Sequence, residues 1–348
     1  MNAQRSSDSV PVSSWRSARL FVTDEFAAPP VILRVDDSVI GTLGNFSAST
    51  GKAKSKKTFN VCAIVAAAMT GGTVLNYSAS LPPERRRILY VDTEQSRFHC
   101  KRVLCRILRL AGLPTDVHPP LLEFLCLRGY ATKERLRKIE EAIYDLDDLG
   151  LVVIDGIRDL AHDINSPGEA TDLITKLMQW TDERRIHIHT VLHLNKGDDN
   201  TRGHLGTELN NKAETVLQIT KDDFDRDISS VAAMHIRDRD FEPFAFRINA
   251  DALPEQVEDY QLRQTTAAKS FDYAEVCEAK HREALELLFS KADRVSYSSL
   301  IGRLQSSYAA IGHSFGINKA KQLKVFLENK RMIVKEDKFY RYNPDFHY

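Results

Sequence analysis

The fold of this chain is decided by residues 42–59, which read TLGNFSASTGKAKSKKTF. This stretch begins with a predicted strand at residues 42–48 and ends in a predicted helix at residues 57–69. The loop between them is rich in lysine and serine. Such a loop is typical of phosphate binding, because a helix N-terminus attracts phosphates, a lysine reaches the outer phosphates and a hydroxyl group binds magnesium.

Two registers of the phosphate-binding pattern are possible in this loop. The first ends at Lys52 and fails, because Ala53 has no hydroxyl group and Gly44 lies seven residues before Gly51 instead of five. The second has the correct spacing, and we adopt it. Its predicted phosphate-binding residues are Gly51, Lys52, Ala53, Lys54, Ser55, Lys56, Lys57 and Thr58. A solvated lysine-rich loop is the alternative.

Lys56 departs from this pattern, which has its second glycine at that position. A glycine lets the backbone approach a phosphate closely, whereas a lysine side chain must point away. The lysines at positions 52, 54, 56 and 57 add positive charge that can strengthen phosphate binding or contact DNA. We expect the departure to affect turnover more than nucleotide binding.

Polar side chains stand at the ends of three further predicted strands. Ligands of open α/β sheets bind at the carboxyl ends of the strands, so these side chains are expected near the phosphates. Asp155 can hold magnesium directly or through water, Glu94 can orient an attacking water, and His193 can sense the γ-phosphate. The three strands are predicted at residues 88–91, 151–154 and 186–194.

Each of these assignments has a structural alternative. An aspartate that ends a strand before a glycine turn, as Asp155 does, is common without any ligand. Asp92 can cap the helix that follows it, and we rank it below Glu94 as a functional residue. His193 can be a core histidine with satisfied hydrogen bonds, which is also our interpretation of His187 and His189.

Alternation of strands and helices predicts an α/β fold with a mainly parallel, helix-covered sheet. The segments RILYVD and LGLVVID are apolar without alternation, which is typical of strands buried on both faces. Further strands are predicted at residues 122–127 and 232–236, and helices at residues 98–111, 133–146 and 169–185.

The length of 348 residues predicts a second, smaller domain. Predicted helices at residues 276–290, 296–308 and 317–330 precede a predicted hairpin at residues 332–342, which is the layout of a winged helix. We divide the chain into a flexible segment at 1–19, an α/β domain at 20–253, a linker at 254–274 and a winged-helix domain at 275–348.

Composition favours a cytoplasmic protein. The 48 basic and 48 acidic residues cancel, so a generally polycationic nucleic-acid coat is excluded. Apolar runs stay well below the roughly 20 residues of a membrane-spanning helix, so we expect no membrane contact. The N-terminus is polar and suggests no signal peptide, and the five scattered cysteines fit a reducing compartment.

The predicted winged helix is locally basic. Residues 313–341 hold eight lysines and arginines against three acidic residues, which favours contacts with duplex or origin DNA phosphates over contacts with protein, although protein contacts remain the alternative. The predicted DNA-binding residues here are Lys319, Lys321, Lys324, Lys330 and Arg331.

Over residues 30–250 the chain resembles the RecA-like P-loop ATPases, most closely the branch of hexameric plasmid replicative helicases and of ATPases carried by mobilizable elements. The segments GKAKSKKTF, VVIDGIRDL and VLHLNK…RGHLGTEL carry this resemblance. It implies ATP and Mg²⁺ as cofactors, with Lys57 and Thr58 on phosphate and magnesium, Glu94 as the catalytic carboxylate, Asp155 as the second metal-side acid and His193 as the sensor.

The resemblance also implies a homo-oligomer, in particular a hexamer, with single-stranded DNA in its central channel. Lys196 and Arg202 would flank the loop that faces this DNA. An arginine from a neighbouring subunit completes the site in this family, and Arg237 and Arg239 are placed for that role. Ion pairing with nearby acidic residues explains these two arginines almost as well.

Three functions follow as hypotheses. The first is an ATP-hydrolysing, helicase-like motor that acts on DNA in the replication or mobilization of a plasmid or transposable element. The second is a nucleotide-gated DNA-binding regulator or adaptor with little ATPase or unwinding activity, which the degenerate loop favours. The third is a partition-like ATPase, which would be a dimer that depends on Lys52.

Overall fold

The computed structural model describes residues 15–194, 203–258, 260, 272–274 and 276–345. The chain divides into two compact units, residues 1–262 and residues 263–348. The first unit is α/β and is built on a nine-stranded, mostly parallel sheet, as the sequence predicts. No helix among the described residues is long and apolar enough to cross a membrane.

The first unit contains thirteen strands and five α-helices within its described residues. The strands are β1 Val31–Val35, β2 Ser38–Thr42, β3 Phe46–Gly51, β4 Thr73–Val74, β5 Tyr77–Ala79, β6 Arg87–Asp92, β7 Leu122–Cys126, β8 Leu149–Asp155, β9 His187–His193, β10 Thr215–Lys221, β11 Ile228–Ile236, β12 Phe244–Ile248 and β13 Pro254–Val257. The helices are α1 Lys57–Thr70, α2 Arg97–Leu110, α3 Thr132–Asp145, α4 Pro167–Arg184 and α5 Gly203–Lys212.

The order of the strands positions the candidate site. In the nine-stranded sheet the order is β13-β12-β11-β10-β3-β9-β8-β6-β7, and the six strands from β10 to β7 run parallel. Strand β9 therefore lies between β3, which leads into the lysine-rich loop, and β8, which ends at Asp155. The carboxyl ends of β3, β6, β8 and β9 consequently meet at one edge of the sheet.

The central strands are buried because helices cover both faces of the sheet. All seven residues of β8 are buried. Leu151 and Val153 pack into one apolar cluster with α1 and α2, whereas Val152 and Ile154 pack into the other with α3 and α4. Burial on both faces explains why the segment lacks polar alternation. Each of these buried side chains stabilises the fold by about 2 kcal/mol.

A chain of buried polar groups joins β3 to β9. His187 Nδ1 donates to the carbonyl oxygen of Thr42 over 2.9 Å, so its Nε2 must accept from Ser47 Oγ at 2.7 Å. Ser47 Oγ in turn accepts from His189 Nδ1 at 2.8 Å, and His189 Nε2 accepts from Ser49 Oγ at 2.8 Å. Both imidazoles are neutral, hydrogen-bonded members of the core.

The predicted strand at residues 42–48 is wrong in its first half. Residues 43–45 form a turn between β2 and β3, because Gly44 has a φ of 87°, which a strand does not allow. The small antiparallel sheet of order β2-β1-β5-β4 was not predicted from the sequence. The predicted linker also starts too early, since Pro254–Val257 pairs with β12 as an edge strand.

The second unit has its own core. Among its described residues, three helices surround buried side chains such as Leu285, Leu300 and Leu323, and three strands form an antiparallel sheet of order β14-β16-β15. Three helices followed by a hairpin agree with the predicted element order, and the winged-helix assignment stays a prediction. The elements are α6 Glu278–Phe289, β14 Val295–Ser296, α7 Tyr297–Ala310, α8 Ile317–Asn329, β15 Ile333–Glu336 and β16 Phe339–Tyr342.

Candidate functional site

The loop at residues 51–58 connects β3 to α1 and has the backbone of an anion-binding turn. Lys54 and Lys56 have φ values of 66° and 67°, in the left-handed region, and Ser55 between them does not. Such alternation turns successive N–H groups into one concave surface that attracts anions. The N-terminus of α1 has no side-chain cap, so no capping side chain occupies the N–H groups of its first turn.

Gly51 begins this loop because no larger residue fits there. A Cβ atom at this position would lie 2.3 Å from the carbonyl oxygen of Ile219 and 2.5 Å from Ser55 Oγ. The first glycine of the adopted register is therefore required by its contact with β10, as well as by any approach of a phosphate.

The ammonium group of Lys57 lies in the mouth of the loop. It donates to the carbonyl oxygens of Gly51 and Lys52 over 2.8 and 2.9 Å. Burial lowers the pKa of Lys57 to about 8, while the carboxylates of Asp155 and Glu94 oppose this change. The group is therefore mostly charged at neutral pH and stands where the adopted register expects it to meet phosphate.

Thr58 and Asp155 face each other across the loop. Thr58 Oγ1 donates to Asp155 Oδ2 over 3.0 Å, and the hydroxyl of Tyr90 donates to the same oxygen over 2.9 Å. Burial, reinforced by the nearby carboxylate of Asp92, raises the pKa of Asp155 to about 6. A cation beside this carboxylate would reverse that shift, because it favours the charged form.

The donor set fits magnesium. Hydroxyl and carboxylate oxygens are the hard ligands that Mg²⁺ prefers, and Mg²⁺ commonly takes one or two protein ligands, with phosphates and waters as the rest. Thr58 and Asp155 provide such a pair. No cluster of three or more histidine, cysteine or acidic side chains suited to a metal occurs among the described residues, so a dedicated all-protein cage is absent from them.

Asp92 fixes the turn that carries Glu94. Its Oδ1 accepts from the backbone N–H groups of Glu94 and Gln95 over 3.0 and 2.7 Å, and its Oδ2 accepts from Gln95 Nε2 over 2.7 Å. Burial raises the pKa of Asp92. This side chain therefore holds the turn ahead of α2. It does not cap that helix as its structural alternative predicted, because the N-cap residue of α2 is Ser96.

Glu94 and His193 approach each other from β6 and β9. Glu94 Oε1 lies 3.6 Å from His193 Nε2, a close contact that is longer than an ordinary hydrogen bond. Pairing with His193 lowers the pKa of Glu94, so this carboxylate is ionised at neutral pH. His193 Nδ1 is buried and has no hydrogen-bond partner among the described residues.

One cavity of about 350 Å³ unites these groups. Five residues with predicted roles in catalysis or metal binding line it: Lys57, Thr58, Glu94, Asp155 and His193. Lys54, Ser55 and Lys56 of the loop line it as well. The structure thus brings together the loop, the two acidic strand ends and the histidine, which lie far apart in the sequence.

The other predicted residues lie elsewhere. Arg237 and Arg239 follow β11, whose last residue Ile236 pairs with the first residue of β10, so they stand at the sheet edge opposite the cavity. Arg237 Nη2 donates to the carbonyl oxygen of Lys212 over 3.1 Å, and Arg239 Nη2 lies 3.9 Å from Asp37 Oδ2. The two predicted DNA-channel residues fall outside the described residues: Lys196 and Arg202.

The predicted DNA-binding residues of the second unit differ in their surroundings. Lys321 is exposed on α8. Lys324 forms an ion pair of 2.5 Å with Glu328, and the ammonium of Lys319 lies 5.1 Å from the ring centre of Tyr273. Two more stand just after α8, the half-buried Lys330 and the exposed Arg331.

Sequence reasoning missed several residues of the cavity. Tyr90 precedes Asp92 by two residues, and its hydrogen bond to Asp155 follows from the alternation along β6. Three side chains of α2, His99, Arg102 and Arg106, line the far side of the cavity. The sequence of α2, RFHCKRVLCRILRL, contains no acidic residue, and this was the signal that could have found them.

Comparison with known proteins adds a family match. A family model described as an AAA domain matches residues 16–199, which is more than half of the chain. Among solved structures, the crystal structure of the RadB recombinase aligns at 16% sequence identity with a TM-score of 0.44, covering 62% of this chain and 92% of that chain. No curated protein matches this sequence.

Proposed function

This chain belongs to the AAA domain family, and from this premise we propose that it binds and hydrolyses ATP with magnesium in the cavity at the edge of its sheet. The family match supports the assignment as a RecA-like P-loop ATPase. One observation carries the proposal, namely that Lys57, Thr58, Glu94, Asp155 and His193 line a single cavity beside an anion-binding loop.

Lys57 and the loop would bind the phosphates. The Lys57 ammonium would exchange its two carbonyl partners for phosphate oxygens, and the concave backbone formed by the two left-handed residues around Ser55 would favour the same anion. Thr58 and Asp155 would hold magnesium, which neutralises phosphate charge when bound. Tyr90 keeps the Asp155 carboxylate oriented toward Thr58 through its hydrogen bond.

Glu94 would orient the attacking water. It is ionised, partly exposed to the cavity and held on a turn that Asp92 fixes, so it can accept a proton or a hydrogen bond without moving its backbone. His193 would respond to the γ-phosphate, because it touches Glu94 on one side and has an unused ring nitrogen on the other.

We further propose that hydrolysis is coupled to DNA in a homo-oligomeric, hexameric motor of helicase type, in the replication or mobilization of a plasmid or transposable element. The position of Arg237 and Arg239 at the edge opposite their own cavity supports a role in the site of a neighbouring subunit. Lys196 and Arg202 would face single-stranded DNA, and the basic second unit would contact duplex DNA as a winged helix.

The test is an ATPase assay with and without single-stranded DNA, run beside a mass measurement of the assembly. We expect DNA-stimulated turnover that is lost in Lys57→Ala and in Glu94→Gln. Lys101→Ala is the matched control, because this exposed lysine of α2 does not line the cavity. Purified protein without affinity for any nucleoside triphosphate would overturn the proposal.

A second candidate is a nucleotide-gated DNA-binding regulator that turns over little ATP. The observation that favours it is Lys56, which occupies a left-handed position where the phosphate-binding pattern has glycine. Tight ATP binding without turnover, with wild type and Glu94→Gln indistinguishable, would support this candidate and exclude the motor.

A further inference from the structure

Lys56 holds a backbone conformation that its side chain disfavours. Its φ of 67° and ψ of 29° lie in the left-handed region, where glycine is the default residue. A lysine in such a conformation stores strain that compensating interactions in the surrounding structure offset, whereas a glycine would adopt it without strain. One such interaction is made by the lysine side chain.

Lys56 lines the cavity, but its ammonium group bonds to the turn between β10 and β11. It donates to the backbone carbonyl oxygen of Asp227. The carboxylates of Asp225 and Asp227 also attract it, while Lys221 repels it. The charge of Lys56 is therefore directed at residues 222–227, which we name the hairpin turn, and adds less to phosphate binding than the sequence suggests.

The hairpin turn is built as a rigid acceptor. Asp222 Oδ1 accepts from the N–H groups of Phe224 and Asp225, each over 2.8 Å, and its Oδ2 accepts from the hydroxyl of Tyr260 over 3.0 Å. Asp225 Oδ1 accepts from the N–H group of Asp227 over 2.9 Å. These bonds fix the carbonyl group that Lys56 contacts.

The phosphate-binding loop is thus supported by one hairpin at both of its ends. Gly51 packs directly against the carbonyl oxygen of Ile219 in β10, and Lys56 is bonded to the turn that follows β10. The backbone between these two contacts carries the left-handed residues that shape the anion site. A change in the hairpin turn would therefore alter the conformation of the loop.

We propose that Lys56 is a positioning residue that ties the phosphate-binding loop to the hairpin turn, so that nucleotide affinity and the state of the turn are coupled. This inference rests on the proposed function, because it requires that the loop binds nucleotide phosphate. By linkage, a partner that alters the turn alters ATP affinity by the same factor by which ATP alters binding of that partner.

The first experiment compares Kd for ATP, and KM against kcat, among variants at position 56. Lys56→Met keeps the left-handed strain and loses the donor, so we expect Kd and KM to rise about tenfold with a smaller change in kcat. Lys56→Gly also relieves the strain, so we expect a smaller rise, and Lys56→Arg retains a donor and is expected to stay nearest to wild type. If the lysine at position 56 were merely tolerated in place of glycine and had no positioning role, Lys56→Gly would bind ATP as tightly as wild type or more tightly.

The second experiment tests the turn. Asp225→Asn weakens the fixed acceptor, so it should raise Kd for ATP in the wild-type background and have no further effect in Lys56→Met. Asp223→Asn is the matched control, because this acidic residue of the same turn is not among the groups that act on Lys56. Additive effects of Lys56→Met and Asp225→Asn would overturn the coupling.

Hydrogen exchange supplies a readout that a purely structural role would not move. We expect ATP to slow amide exchange in the hairpin turn of wild type but not in that of Lys56→Met. If wild type binds no ATP, the proposed function fails. If wild type binds ATP and the turn shows no response, only the tether is wrong.

Discussion

In the cavity of the first unit, Lys57 and Asp155 are buried and their pKa values are displaced, whereas Lys321 of the second unit stands exposed on α8. Buried charges act in a medium of low polarity and are held in one geometry, so each contributes strongly and specifically. Exposed charges are screened by salt and act mainly by their number. The same residue type, lysine, is thus expected to be decisive in one region and replaceable in the other.

Lys57→Ala is expected to have the largest effect and would sharpen this contrast. Removal of this buried ammonium, which bonds to the loop carbonyls, takes away a fixed charged donor, so ATP turnover should fall by about 10²–10³-fold. Steady-state ATPase rates at saturating magnesium measure this, with Lys321→Ala as the exposed counterpart. Equal losses in both variants would contradict the contrast between buried and exposed lysines.

Asp155→Asn is expected to separate activity from stability. Magnesium affinity should fall by about 10–100-fold, because a neutral amide is a poor ligand. The pKa of Asp155 is about 6 in the folded state and 3.8 in the absence of the fold. Ionisation of this carboxyl therefore lowers the free energy of unfolding as pH rises from 3.8 to about 6. The variant should therefore gain about 1–3 kcal/mol of stability at pH 7.5. Magnesium titration and chemical denaturation test the two parts, and loss of stability would show that the carboxylate is needed structurally.

The buried imidazoles predict acid sensitivity of the first unit. Burial lowers the pKa of His187 to about 4 and that of His189 to about 3, below the unfolded value near 6.5. Unfolding therefore takes up protons, and stability is lost as pH falls below 6.5, by about 2 kcal/mol per histidine at pH 5. Denaturation curves between pH 5 and 7 measure this, and His187→Gln should flatten the dependence. A stability that does not change over this range would refute the neutral hydrogen-bonded chain.

The exposed lysines of the second unit are expected to have the smallest individual effects. Deletion of residues 275–348 should lower DNA affinity at moderate salt and leave ATP binding intact. Lys321→Ala alone should weaken DNA binding by about two- to fourfold and reduce the salt slope by about one. Fluorescence anisotropy at several salt concentrations tests both. Unchanged DNA affinity after the deletion would assign the second unit to protein contacts.

Much of the sheet could be predicted because its central strands carry a clear local sequence pattern. Apart from Arg87, strands β6 and β8 are largely apolar runs ended by an aspartate, so each strand and the acidic residue at its end are visible locally. The predicted helices at residues 57–69, 98–111, 133–146 and 169–185 agree with α1 to α4 within one or two residues at each end. The order of the strands then brings the predicted residues into one cavity.

The remaining features depend on contacts that are distant in sequence. The small antiparallel sheet consists of short strands whose pairing no local pattern specifies. The partner of Lys56 lies 171 residues away, so its anchoring in the hairpin turn could not be inferred from the loop. The location of Arg237 depends on β11 running antiparallel to β10, which reverses the edge at which that strand ends.

The position of β9 in the sheet limits which parts of the chain can move. This strand is hydrogen-bonded along its length to β3 on one side and to β8 on the other, so it cannot slide without breaking both ladders at once. His193 at the end of β9 is therefore held in a fixed position beside the cavity. If the chain hydrolyses ATP as we propose, movement during the reaction is expected in parts of the chain other than β9.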